Sequence, residues 1–294
     1  MTNAVRAARS RRLPDPWLNG VRCGWLVVAI LPGALSATGA PVIAASLVWV
    51  AWAMVAVGTL VAHPWSLTVV RFVAPLVVAH AGWRVVSASD ANDVRLGSVV
   101  GFFVMLAVAL VTYSASYGAP HAQAAAYGHE RRHLLRPPVA VLLPLVVLWA
   151  LVAVAAGVAA DAESQRIAGV AAVAAAALLG FALRRASVLA RRWLVFVPAG
   201  IAVHDPLVLR DTFMVRGHDV RALHAAPADT QAFDATGTTW GIALELVLAR
   251  PHDVTLSNFG ARVSGTLDRL HATSLLVAPS RPAHAAADRD AQRA

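Results

Sequence analysis

Residues 166–206 read RIAGVAAVAAAALLGFALRRASVLARRWLVFVPAGIAVHDP, and the change of texture inside this stretch decides the fold. From Ile167 to Leu183 the chain is apolar and rich in small residues, with no charge. A helical run of that length reaches across a hydrocarbon core of roughly 30 Å. Four arginines follow at 184, 185, 191 and 192. Beyond them the apolar stretches become short and are broken by Ala-Gly and Asp-Pro, which are turn signals between strands. A membrane-type half therefore ends near Leu183, and a β-rich half begins near Trp193.

Upstream, the same apolar texture recurs. The chain is 58% hydrophobic and only 14% charged, with a mean hydropathy of +0.63. A soluble domain of 294 residues carries more charge than this. Six spans are expected, at about 18–37, 41–62, 66–86, 96–117, 138–160 and 167–183. The first is interrupted by Arg22 and kinked by Pro32. Residues 1–17 read as a basic tail. Ser10-Arg11-Arg12 ahead of an apolar run also spells a twin-arginine export signal, with small residues at 34–40. A second apolar run follows within a few residues, which suits a helical hairpin better.

The net charge of +9 is carried by arginine alone. Residues 1–192 hold 16 Arg against 6 acids, whereas residues 193–282 hold 7 against 8. The excess thus flanks the spans, where Arg orients helices, and argues against nucleic acid as a partner. With the N-terminus inside, the inner side receives Arg11, Arg12, Arg131, Arg132, Arg136, Arg184, Arg185, Arg191 and Arg192. These are the expected topology and headgroup contacts, and the lipid bilayer is the expected partner. The outer loops, SASDANDVR and DAESQR, hold more acids than Arg. An even number of spans keeps this pattern and puts both termini in the cytoplasm. Gly97-x-x-x-Gly101 and the small residues of the sixth span predict close helix packing inside the bundle. The tryptophans read as interface anchors, and Cys23, the one cysteine, as a small packed apolar residue.

Downstream, residues 184–192 form a basic juxtamembrane linker, and residues 193–277 read as strands with one closing helix at 262–276. Residues 278–294 read as a disordered tail. RRWLVFVPAG directly after a span, a glycine turn, a second strand and then DVRALHA resemble bacterial PH-like domains tethered to transmembrane helices. The whole layout is similar to actinobacterial multi-pass membrane proteins. That resemblance implies two bent sheets closed by a C-terminal helix, a bacterial plasma-membrane location and an assembly role. It brings no catalytic residue.

One motif points elsewhere. His129-Glu130-Arg131-Arg132-His133 spells H-E-x-x-H. On a helix the two imidazoles share a face and reach one zinc, and Glu130 activates the bound water. His121 is a candidate third ligand. Against this, the long form of the motif needs Gly and His where Arg136 and Val139 stand, and three arginines crowd the site. The competing reading is a basic juxtamembrane patch facing anionic headgroups. In the third span Arg71, His80 and Arg84 raise transport, but they line no single stripe. Asp205, Asp211 and Asp219, with His204 and His218, read as turn residues that bond their own backbone. No cofactor motif is present. The expectation is a six-span membrane protein with a β-rich cytoplasmic domain, acting non-enzymatically through a protein partner or through self-association. A zinc hydrolase and a transporter are the alternatives.

Overall fold

The computed structural model describes residues 16–35, 41–87 and 96–293. Its helical part comprises α1 (Pro16–Val28), α2 (Val42–Leu60), α3 (Pro64–Ser87), α4 (Leu96–Thr112), α5 (Ala115–Gln123), α6 (Leu142–Asp161) and α7 (Gln165–Ala186). Of these, α2, α3 and the stretches Val139–Asp161 and Gln165–Arg191 are each long and apolar enough to cross a membrane. Together α4 and α5 meet the same criterion, bent by 59° at a short break. Among the described residues, four or five stretches thus qualify as crossings by length and composition.

The first expected span departs from its reading. Helix α1 ends at Val28, and residues up to Leu35 make turns instead. Thirteen helical residues cover about 20 Å, too little to cross alone. Its Arg22 finds partners on α2. The guanidinium donates to Thr59 O and Leu60 O at the end of α2, at 2.8 and 3.2 Å. The turns after α1 sit against α4, where a Cβ on Gly97 would stand 2.3 Å from Pro32 O and one on Gly101 2.6 Å from the Ala34 Cβ. The glycine pair therefore packs inside the bundle, as expected. In α7 the buried residues Ala168, Ala175 and Ala182 recur every seven positions. Such a row of small side chains gives the closely paired α6–α7 hairpin its seam.

The β-rich part holds two four-stranded sheets. One has the order β1 (Arg131–Leu134), β2 (Trp193–Val197), β3 (Gly200–His204), β4 (Phe213–Arg216), all antiparallel. The other has the order β5 (Val220–Ala225), β7 (Leu244–Thr255), β8 (Arg269–Val277), β6 (Phe233–Asp234), with β6 parallel to β8. Leu194, Phe196, Ile201 and Val203 of the first sheet meet Leu244, Leu246, Leu275 and Val277 of the second in one core.

Three expectations change here. The β-rich unit starts before Trp193, because β1 comes from the segment preceding α6 and pairs with β2, Arg131 opposite Phe196. The α6–α7 hairpin is therefore inserted between the first two strands. The expected closing helix at 262–276 is mostly strand. The short helix α8 (Asn258–Ser264) is capped by the Ser257 hydroxyl, stops at Gly265 with φ 61°, and gives way to β8. A left-handed glycine at this position ends a helix by satisfying its last carbonyls. Finally, the expected disordered tail forms the helix α9 (Pro282–Arg293). Proline suits a first helical position. The small Ala285, fully buried, lets α9 lie close on the sheets.

Candidate functional site

The H-E-x-x-H segment lies where the two halves meet, and it is a turn and a strand rather than a helix. Gly128 turns the chain at φ 60°. The Glu130 carboxylate then accepts from Arg132 Nε and NH2, at 3.1 and 2.8 Å, and from Tyr127 N at 3.1 Å. The hydrogen bonds from Arg132 hold this carboxyl below its ordinary range. His129 lies in the turn before β1 and His133 within the strand, so the helix on which this spacing would put both rings on one face is absent. His133 donates to Asp288 of α9 at 2.9 Å, and its ring meets the Phe196 ring edge-on at 5.5 Å. His121 is buried on α5, its Nδ1 2.9 Å from Tyr117 O. Among the described residues no group of three or more His, Cys, Asp or Glu is placed to hold a metal ion.

The edge of β1 away from β2 is covered partly by backbone, with Ser280 N donating to Leu134 O at 2.7 Å, and partly by one side chain. Gln123, the last residue of α5, donates its amide N–H to Glu130 O at 2.8 Å and accepts from Arg132 N at 3.0 Å. The carboxamide thus does what a neighbouring peptide group would do in a sheet, and it ties the bundle to the strand. On the other side, the Arg132 guanidinium lies 4.4 Å from the Trp193 ring centroid, and Trp193 stacks on His204.

Two further arginines form the joint around the hairpin. Arg192 is fully buried and meets Asp205 in a two-pronged ion pair at 2.8 and 2.6 Å. It also donates to Arg136 O at 2.5 Å and Thr236 O at 3.2 Å. Asp205 in turn accepts from the backbone N–H of Leu207 and Val208, the turn role its sequence suggests. Every strong polar group of the pair is thereby satisfied, which a buried pair requires. The Arg136 guanidinium reaches three carbonyls, Trp240 O at 2.5 Å, Ile242 O at 2.9 Å and Pro279 O at 3.1 Å.

The expected headgroup contacts therefore divide. Arg131, Arg184 and Arg185 are exposed, and Arg191 is half-buried. Arg132, Arg136 and Arg192 are committed to internal bonds, and Arg11 and Arg12 lie outside the described residues. The same holds inside the bundle. Arg71 donates to Thr112 O and Ser114 O at the α4–α5 break, and Arg84 to Gly33 O. His80 is half-buried on α3. Trp25 and Trp52 are not interface anchors, for each donates its indole N–H to the backbone carbonyl of the other. Cys23 is exposed rather than packed. Asp211 and Asp219 bond Thr255 and Arg250. Sequence reading missed Gln123 and Asp288 altogether, since neither stands in a motif.

Two shallow cavities flank α9. One, of about 320 Å³, is lined by Pro198, His218, Arg289 and Gln292, and the other, of about 250 Å³, by His129, Arg131, Phe196 and Asp288. Neither brings a nucleophile beside a base. No known family model matches the chain, and no curated protein or solved structure matches it either. The arrangement defines a protein with an apolar helical part suited to a membrane and a β-rich part with a final helix, bolted together by arginine.

Proposed function

We propose that this chain is a membrane-anchored, non-enzymatic interaction or assembly module, whose β-rich part presents its surface to a protein partner or to a second copy. The observation that carries this reading is how the conspicuous polar residues are used. Glu130 and Arg132 brace the turn before β1, His133 ties β1 to α9, and Arg136, Arg192 and Asp205 tie the two roots of the α6–α7 hairpin to the β-rich part. A rigid platform results. Its first sheet ends on β4, an edge strand with Met214 and Arg216 exposed. Open edges of this kind accept added strands.

The finer architecture belongs to the same proposal. Hydrogen bonds between helix ends make α1 and α2, and then α3 and α4, antiparallel neighbours, and α6–α7 is a hairpin. Six passes follow if the short α1 and its turns cross with the bundle. Both ends of the described chain then lie on the side of the β-rich part. The exposed Arg131, Arg184 and Arg185 on that side favour the cytoplasm of a bacterial plasma membrane. Two four-stranded sheets with a C-terminal helix support a PH-like domain, here with a membrane hairpin inserted in its first strand pair.

A photo-crosslinking residue at Met214, used in native membranes, tests the function. The expected result is a discrete protein adduct that a matched residue at Leu267 does not give. Lipid adducts alone at 214, or one bound zinc per purified chain that His133→Ala removes, would overturn the reading.

A further inference from the structure

We infer that the loop between β6 and β7, residues 235–243, is a second membrane anchor: Trp240 and Ile242 enter the interfacial layer of the leaflet into which α6 descends. The inference rests on the reading that Val139–Asp161 crosses a bilayer, for which its length and apolar character qualify it. The loop is tied to the start of that stretch. Val139 N donates to Thr238 O at 3.1 Å, and the Thr239 hydroxyl donates to Pro137 O at 2.8 Å. These bonds set the depth of the loop at the first residue of the span.

The side chains at that depth suit an interface. Trp240 and Ile242 are 51% and 63% exposed, and Val139 and Leu143 in the first turns of the span are exposed too. Elsewhere in the β-rich part such large apolar side chains are mostly inside its core. An indole has an apolar body and one N–H donor, which is why tryptophan collects where hydrocarbon meets water. The exposed Arg184 and Arg185 stand at the end of α7, on the same side of the hairpin, where anionic headgroups lie.

The backbone is shaped in advance. Gly237, Thr238 and Gly241 all have positive φ, of 70°, 60° and 83°. Thr238 tolerates a conformation that costs a β-branched residue free energy. A Cβ on Gly241 would stand 2.3 Å from Arg136 NH1, so only glycine lets that guanidinium pass to Trp240 O and Ile242 O. The loop is thus braced from behind and needs little ordering when its side chains meet lipid.

Site-directed fluorescence settles the matter. In a full-length Cys23→Ser background, single cysteines at Ile242, Val146 and Leu267 carry an environment-sensitive dye. The protein is reconstituted into phosphatidylcholine–phosphatidylglycerol vesicles. Val146 is exposed on α6, and Leu267 is exposed at the opposite end of the β7–β8 pair. Nitroxide lipids should quench the dye at 242 from a shallow position, and iodide should quench it several-fold less than at 267. Adding Trp240→Ala should raise iodide quenching at 242. Water-like behaviour at 242, with 146 still lipid-quenched, would overturn the inference and leave the membrane reading intact. Shielding of 242 from both quenchers would also overturn it, and would assign the patch to a second copy of the chain. Iodide access at 146 would remove the membrane reading itself, and the anchor with it.

Discussion

At the scale of single residues, the chain spends arginine on carbonyl groups. Arg22 takes the last carbonyls of α2, Arg71 those at the α4–α5 break, and Arg84 one in the turns after α1. Helix ends leave carbonyls without partners, and in hydrocarbon no water replaces them. A guanidinium offers five donors in a fixed fork and stays charged, so it serves such ends better than an ammonium. Arg192 differs in having an acid as its main partner. Its pairing with Asp205 is buried on both sides, at 1% and 0% side-chain exposure. Asp205→Ala should therefore cost about 3–5 kcal/mol, because the arginine stays buried without its counter-charge. Arg192→Met with Asp205→Leu should cost clearly less than the two single changes summed, since it removes both charges. Chemical unfolding of the detergent-solubilised protein gives these numbers. A loss below about 0.5 kcal/mol for Asp205→Ala would show that the pair is solvated.

At the scale of elements, α9 is held to the sheets through Asp288 on His133, Arg289 on Val220 O and Gln292 on Val197 O and Gly200 O, and the first of these titrates. Burial pushes the His133 imidazole below its ordinary 6.5, against the pull of Asp288 and aided by His284 and Arg281. As pH falls through 6.5, the unfolded chain takes a proton there while the folded chain does not. Docking of α9 should thus weaken toward acid, down to the depressed folded value. Amide exchange in α9, corrected for its intrinsic pH dependence, should speed up below pH 6.5 and lose that dependence in His133→Gln. Equal acid sensitivity in the variant would assign the effect to other groups. This helix also shows what a sequence hides. The apolar helices α2, α3, α4, α6 and α7 are legible because hydropathy alone specifies them. Strand β1 is not, for RRHL has the composition of a basic loop and becomes a strand only by pairing across the whole α6–α7 hairpin. Helix α9 is Ala-rich and polar, and its helicity depends on a sheet surface that accepts Ala285. The stop at Gly265 was readable in principle, but the small residues after it fit a helical spacing as well as a strand. Of the candidate site, Asp205 was legible as a turn acid and GxxxG as packing. The zinc spelling misled, since i and i+4 share an ion only if the segment is helical.

At the scale of the molecule, the inserted hairpin makes the β-rich part discontinuous in sequence, and this predicts which pieces fold. A fragment beginning at Trp193 lacks β1, which leaves β2 with an unpaired edge next to the core. It also lacks Arg192, so Asp205 is stranded among apolar side chains, and it lacks Arg136, which braces the 235–243 loop. The three losses meet at one joint, where Arg192 also donates to Arg136 O and Leu135 N to Arg192 O, so the fragment loses that joint whole. Residues 129–138 joined to residues 191–293 restore β1, Arg136 and Arg192 together. Leu135 N bonds Arg192 O, so the two cut ends lie close, and a Gly/Ser linker of about six residues, with an average reach of roughly 13 Å, spans the gap. The joined chain should show cooperative unfolding and dispersed amide resonances, whereas the fragment from Trp193 should show neither. If both fold with equal stability, β1 is an ornament on a complete domain rather than its first strand. If only the joined chain folds, β1, Arg136 and Arg192 belong to the β-rich folding unit, and the α6–α7 hairpin is an insertion without which that unit still folds. The hairpin then meets that unit at its two roots, where Arg136 and Arg192 are bonded.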